Sequence, residues 1–154
     1  ICNGLKAIHE KDIVHRDLKT TNIMFDRENK VKIMDFGLSK SPLVTTMTTL
    51  GTIMGTLGYV APEQITNIQV DKRADIFSLG VILYQMATNK LPFVGSNEIA
   101  VIHSIFNTEP VKPSEINPAI DNGIEHIIMK CLKKNQFERY QSVEEILIDI
   151  ETLK

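Results

Sequence analysis

His15-Arg16-Asp17-Leu18-Lys19-Thr20-Thr21-Asn22, followed a short way on by Asp35-Phe36-Gly37, is the stretch on which the reading of this chain turns. Between the two motifs lie two strand-like runs, Asn22 to Phe25 and Lys30 to Met34, around the polar turn Asp26-Arg27-Glu28-Asn29. Val31 and Ile33 alternate with Lys30 and Lys32, the period of a half-buried strand, so the segment predicts a small β-hairpin. A hairpin returns the chain, and Asp35 can then stand opposite Asn22. Asp17 contributes a carboxylate, Lys19 a cation two residues on, and Asn22 and Asp35 neutral and anionic oxygens suited to a hard divalent cation such as Mg²⁺. Taken singly, an Asp in a loop is a turn former, and Asp-Phe-Gly reads equally well as a turn beside a core aromatic. The four groups together, in one strand-framed segment, point to chemistry.

On the N-terminal side, Ile1, Leu5 and Ile8 recur at helical spacing, and Lys11-Asp12 breaks the pattern, so a helix is expected to end near Glu10. On the other side, residues 35–63 show no sustained period but carry Ser39, Ser41, Thr45, Thr46, Thr48, Thr49, Gly51, Thr52, Gly55, Thr56 and Gly58. A stretch of that length without regular structure inside a compact domain is functional or disordered. Beyond Pro62 the pattern turns helical. Ala74 to Ala87 is apolar nearly all round, which predicts a central buried helix. Ile99, Ile102 and Phe106 mark another helix, Ile120 to Leu132 a third, and Val143, Ile146, Leu147, Ile150 and Leu153 a fourth with a one-sided stripe. The expected class is α+β, mostly helical, with one small hairpin carrying the candidate site.

The composition fits an ordinary globular chain: 154 residues, 43% hydrophobic and 23% charged. Seventeen Lys and Arg against nineteen Asp and Glu leave a net charge of -2, without the positive field that a nucleic-acid partner rewards. Cys2 and Cys131 have no second ligand at metal spacing and read as reduced, buried thiols. The longest apolar run, Ile76 to Ala87, is interrupted by Ser78 and Gln85 and is shorter than the ~20 residues of a membrane span. The first residues lack the basic-then-apolar order of a secretion signal and open in mid-helix, as in a segment of a longer chain. No membrane contact and a cytoplasmic location are therefore expected.

With Ala61-Pro62-Glu63 closing the Thr-rich loop, the three motifs stand in the order and spacing of the catalytic half of a protein kinase, which this chain resembles over nearly its whole length. The resemblance implies that residues 1–154 are the C-terminal lobe of a kinase domain, that 35–63 is the activation segment, and that ATP and Mg²⁺ are the cofactors. It implies that Asp17 orients the substrate hydroxyl and accepts its proton. Lys19 would place a cation beside the migrating phosphoryl group and the nucleotide, and Asn22 and Asp35 would hold the metal. Asp-x-Lys-x-x-Asn, together with Thr56 in Gly55-Thr56-Leu57-Gly58-Tyr59, whose hydroxyl would bridge Asp17 and Lys19, resembles kinases directed at Ser and Thr, so proteins bearing those hydroxyls are the expected substrates. His15 would pack near Phe36 and transfer no proton. Asp75, ahead of Ser78, Leu79 and Gly80, would accept backbone N–H bonds from the catalytic loop, and Arg139 would pair with Glu63.

For regulation, the resemblance points to phosphorylation of Thr48 and Thr52, with Arg16 and Lys40 as the cations that would receive the phosphate. The nucleotide-covering lobe would precede Ile1, so these residues alone are expected to be inactive. Thr20-Thr21 stands where many kinases have Pro-Glu, Gln85 where those directed at arginine-containing substrates carry Glu, and Asn135-Gln136 where Asp-Pro is common. A small-molecule phosphotransferase shares the Asp, Asn and second Asp but predicts no long Thr-rich loop ending in Ala-Pro-Glu. A noncatalytic scaffold lobe is opposed by the intact Asp17, Lys19, Asn22 and Asp35.

Overall fold

A computed structural model describes residues 1–35 and 57–153. Helix α1, Cys2–His9, buries Leu5 and His9 one turn apart and stops where the spacing ends. After the loop that follows α1, a 3₁₀ turn at Thr20–Asn22 leads into β1, Ile23–Phe25, which pairs antiparallel with β2, Val31–Ile33, in the register Ile23 to Ile33, Met24 to Lys32 and Phe25 to Val31. Both strands are shorter than expected. Asn22 belongs to the 3₁₀ turn, and Lys30 belongs to the hairpin loop, where the Asp26 carboxylate accepts from the N–H groups of Glu28 and Lys30 at 2.9 Å each. Asn29 turns the corner at φ 57°, a left-handed conformation that asparagine tolerates.

The remainder is helical among the described residues. Helix α2, Pro62–Thr66, opens on proline at its first position, where a missing N–H costs nothing. Helix α3, Lys72–Thr88, is capped by the Asp71 carboxylate on the Arg73 N–H and ends at Asn89 in the left-handed region. Every residue from Ala74 to Ile82 is buried, as the continuous apolar pattern requires, and the helix runs slightly beyond both expected ends. Helix α4, Glu98–Asn107, is capped by Asn97. Its buried face is Val101, Ser104 and Ile105, whereas Ile99 is 78% exposed, so the helix is where expected but is turned differently. Helix α5, Pro113–Ile116, was not expected: four residues are too few to show a period. Helix α6, Asn122–Cys131, starts later than Ile120 because the Asp121 carboxylate takes the N–H groups of Gly123 and Ile124. A 3₁₀ turn at Gln136–Glu138 then leads to α7, Val143–Glu151, with Val143 and Ile146 on its buried face. Among the described residues no helix is long and apolar enough to cross a membrane.

Helix α3 is the axis of the core, with α6 along one side, while α1 lies against α7 and β2. Phe77 stacks on Phe93 with ring centroids 5.7 Å apart. Cys131 is buried and Cys2 half-buried, and burial pushes both thiols up, which keeps them protonated and inert. At Gly80, α3 and α6 pack closely: a Cβ there would sit 2.6 Å from the Cys131 Cβ, an atom that cannot rotate away. Overpacking typically costs about 1–3 kcal/mol, against a gain of up to about 1 kcal/mol in helix propensity. Gly80→Ala is therefore expected to destabilise the protein and lower its midpoint in thermal or urea unfolding, and an unchanged or raised midpoint would show that the two helices can separate at no cost.

Candidate active site

The candidate catalytic loop, residues 15–22, is anchored by a single carboxylate. Asp75 is fully buried in the first turn of α3. Its Oδ2 accepts from the His15 N–H at 2.8 Å and its Oδ1 from the Arg16 N–H at 2.8 Å. His9, at the end of α1, brings its Nε2 to the same Oδ2 at 2.8 Å. A carboxylate buried without partners would be costly, and here three donors meet it, two at Oδ2 and one at Oδ1. The expected bonds from Asp75 to the loop are present; the His9 contact was not expected.

His15 is fully buried and serves the loop through both ring nitrogens. Its Nε2 lies 2.9 Å from the Met34 carbonyl, which can only accept, so Nε2 carries the proton. Nδ1 is then the acceptor for the Asp17 N–H at 3.3 Å. This neutral imidazole bridges the loop to the residue before Asp35. Phe36, expected beside it, lies outside the described residues.

Around Asp17 two of the expected groups converge, Lys19 and Asn22. The Lys19 Nζ donates to both Asp17 carboxylate oxygens, at 3.0 and 2.7 Å, and both side chains are about three-quarters buried. The Asn22 Nδ2 donates to the Asp17 carbonyl at 2.8 Å and reaches its Oδ2 at 3.3 Å. Asp35 is attached through its neighbour: the Met34 N–H donates to the Asn22 carbonyl at 2.8 Å, while the Met34 carbonyl is the group His15 holds. The hairpin thus returns the chain as expected, with Asp35 exposed at its exit and in the left-handed region at φ 57°. Among the described residues no three His, Cys, Asp or Glu side chains gather into a metal cage.

A second set of bonds ties the end of the Thr-rich loop to the helices. Arg139, 2% exposed, donates from Nη1 and Nη2 to the two Glu63 oxygens at 2.6 and 2.8 Å, a bidentate buried pair. The Ser78 hydroxyl donates to the Tyr59 carbonyl at 2.8 Å. The Tyr59 hydroxyl donates to the Gln85 Oε1 at 2.5 Å, which leaves it to accept from Thr20 at 3.1 Å. Gln64 reaches back to the Arg16 carbonyl at 2.8 Å. The roles of His9, Tyr59 and Gln64 have no local signal in the sequence, since each acts on a partner distant along the chain. Thr56, Lys40, Thr48 and Thr52 lie outside the described residues, as does most of the Thr-rich loop.

The family model described as protein kinase domain matches residues 1–149. The chain belongs to the protein kinase family. Among its curated relatives, a probable serine/threonine-protein kinase of Streptomyces coelicolor is 40% identical over 98% of this chain and 23% of the relative. A probable serine/threonine-protein kinase of Clostridium perfringens is 36% identical over 100% of this chain and 22% of the relative. Serine/threonine-protein kinase PknB of Mycobacterium leprae is 35% identical over 97% and 24% respectively. This kinase chain thus spans about a quarter of the length of the curated relatives it matches. Its helical architecture with one hairpin is that of the C-terminal lobe of a kinase fold, and the family as a whole uses ATP and a divalent metal.

Proposed function

We propose that this chain is the substrate-binding and catalytic lobe of a longer serine/threonine protein kinase that transfers the terminal phosphoryl group of ATP to hydroxyls on proteins. The observation that carries the reading is the Asp17 carboxylate held by Lys19 and Asn22, with Asp35 fixed to the same loop through Met34. The relatives' names support the hydroxyl class.

In this reading Asp17 orients the substrate hydroxyl and takes its proton, and Lys19, already on the carboxylate, neutralises charge that builds beside it. The donor chemistry fits a magnesium ion. The Asn22 amide nitrogen is committed to Asp17, so its oxygen is the atom left for a cation, and Asp35 offers an exposed carboxylate. Two protein oxygens without a cage suit Mg²⁺, which keeps waters and substrate phosphates as its other ligands. When bound, the metal supplies charge neutralisation and orientation of the phosphates. Exposed Met24, Phe25, Val31 and Met34 on and beside the hairpin fit the face on which a nucleotide-binding lobe of the longer protein would pack. A cytoplasmic setting, with ATP and reduced thiols, belongs to the same reading.

The test is phosphoryl transfer by the longer protein from Mg-ATP to Ser- and Thr-bearing proteins, with phosphoamino-acid analysis. Phosphoserine and phosphothreonine without phosphotyrosine are expected. Asp35→Ala should weaken ATP binding when Mg²⁺ is present and little when it is absent, and an unchanged metal dependence would remove Asp35 from the site. Nucleotide binding without transfer to any protein would favour the scaffold reading.

A further inference from the structure

Seven non-glycine residues among those described have positive φ, and five of them are Asp or Asn, for which that region is ordinary. Arg16, at φ 67°, is one of the other two, and it directly precedes Asp17. Its N–H is held by Asp75. What holds its far side is the peptide unit joining Arg16 to Asp17: the carbonyl accepts from the Gln64 Nε2 at 2.8 Å, and the N–H of the same unit donates to the His15 Nδ1 at 3.3 Å. That peptide plane sets the direction in which the Asp17 side chain leaves the backbone.

Gln64 is 3% exposed and its amide orientation is fixed by its partners, since the Arg16 carbonyl can only accept and the Ala61 N–H, 3.0 Å from Oε1, can only donate. The residue before it, Glu63, is locked to Arg139. We infer that Gln64 is a positioning residue for Asp17: it holds the strained Arg16–Asp17 peptide in place and couples the end of the Thr-rich segment to the catalytic carboxylate. The inference rests on the kinase reading above. A left-handed arginine persists only where its surroundings over-determine it, and Gln64 supplies one of the restraints.

Two roles for Gln64 separate cleanly. As a helix cap it needs only Oε1, which a glutamate retains and which suits the third position of a helix. As a positioning residue it needs the amide donor, which glutamate and methionine both lack. In the longer kinase, Gln64→Glu and Gln64→Met are each expected to lower kcat about ten-fold, the effect of stranding one buried carbonyl, with KM for ATP and for the protein substrate little changed. Retained nucleotide affinity reports that each variant is folded, and if the glutamate variant fails to fold the methionine variant carries the test. Wild-type kcat in Gln64→Glu alongside a stability loss in Gln64→Met would reduce the residue to a cap and overturn the inference while leaving the kinase reading intact. Absence of transfer in the wild-type protein, by contrast, overturns the kinase reading and the inference with it.

Discussion

Replacing Asp17 with asparagine in the longer protein is expected to cut phosphoryl transfer at least about 100-fold, the low end for loss of a positioned general base, while nucleotide affinity stays nearly unchanged. The substitution is close to isosteric, and the bond from Asn22 to the Asp17 carbonyl survives because it uses the main chain. What disappears is the negative charge on which Lys19 closes at 3.0 and 2.7 Å. A neutral amide accepts no proton from a hydroxyl and no longer holds the ammonium by charge. The effect should therefore fall on kcat rather than on ATP binding, read by steady-state kinetics beside a nucleotide titration. Turnover near that of the wild type would remove Asp17 from the reaction.

The largest loss of stability is expected at Arg139. All five of its N–H groups are used: Nε on the Lys133 carbonyl at 2.7 Å, Nη1 on Glu63 and the Arg73 carbonyl at 3.0 Å, and Nη2 on Glu63 and the Lys134 carbonyl at 3.0 Å. The guanidinium also lies over the Phe77 ring at 4.9 Å. Arg139→Met keeps much of the volume but leaves the Glu63 carboxylate buried without a counter-charge, for which about 3–5 kcal/mol is typical. Arg139→Lys is no remedy, because three donors on a single nitrogen cannot match the fork. Pairing Arg139→Met with Glu63→Met should recover the part of the loss that comes from the orphaned charge, while the three backbone carbonyls served by Arg139 stay without that donor. Denaturant unfolding of the three variants measures this, and strictly additive losses would contradict it.

The site was legible where its parts are close in sequence or bracketed by a pattern. Asp17, Lys19 and Asn22 share one loop, and the alternation of Val31 and Ile33 announced the hairpin that returns Asp35 to it. Asp75 and the Glu63 to Arg139 pair were expected from the resemblance, not from any local signal, because one charged residue in an apolar helix looks the same whether its partner is water or a buried loop. His9 shows the limit: it reads as the end of an amphipathic helix, and its partner Asp75 lies 66 positions away. Gln64 and Tyr59 were hidden for the same reason. The short helices α2 and α5 left no signal of their own, since neither is long enough for periodicity to show.

The carboxylate of Asp75 has a consequence for how the lobe comes apart. It joins the end of α1, the start of α3 and the stem of the catalytic loop at one buried point. The stem cannot peel away while the helices stay folded without leaving that buried charge short of two backbone donors. Although they are drawn as a loop, His15 and Arg16 therefore belong to the same cooperative unit as the central helix, and the free energy needed to open them approaches that of unfolding the core.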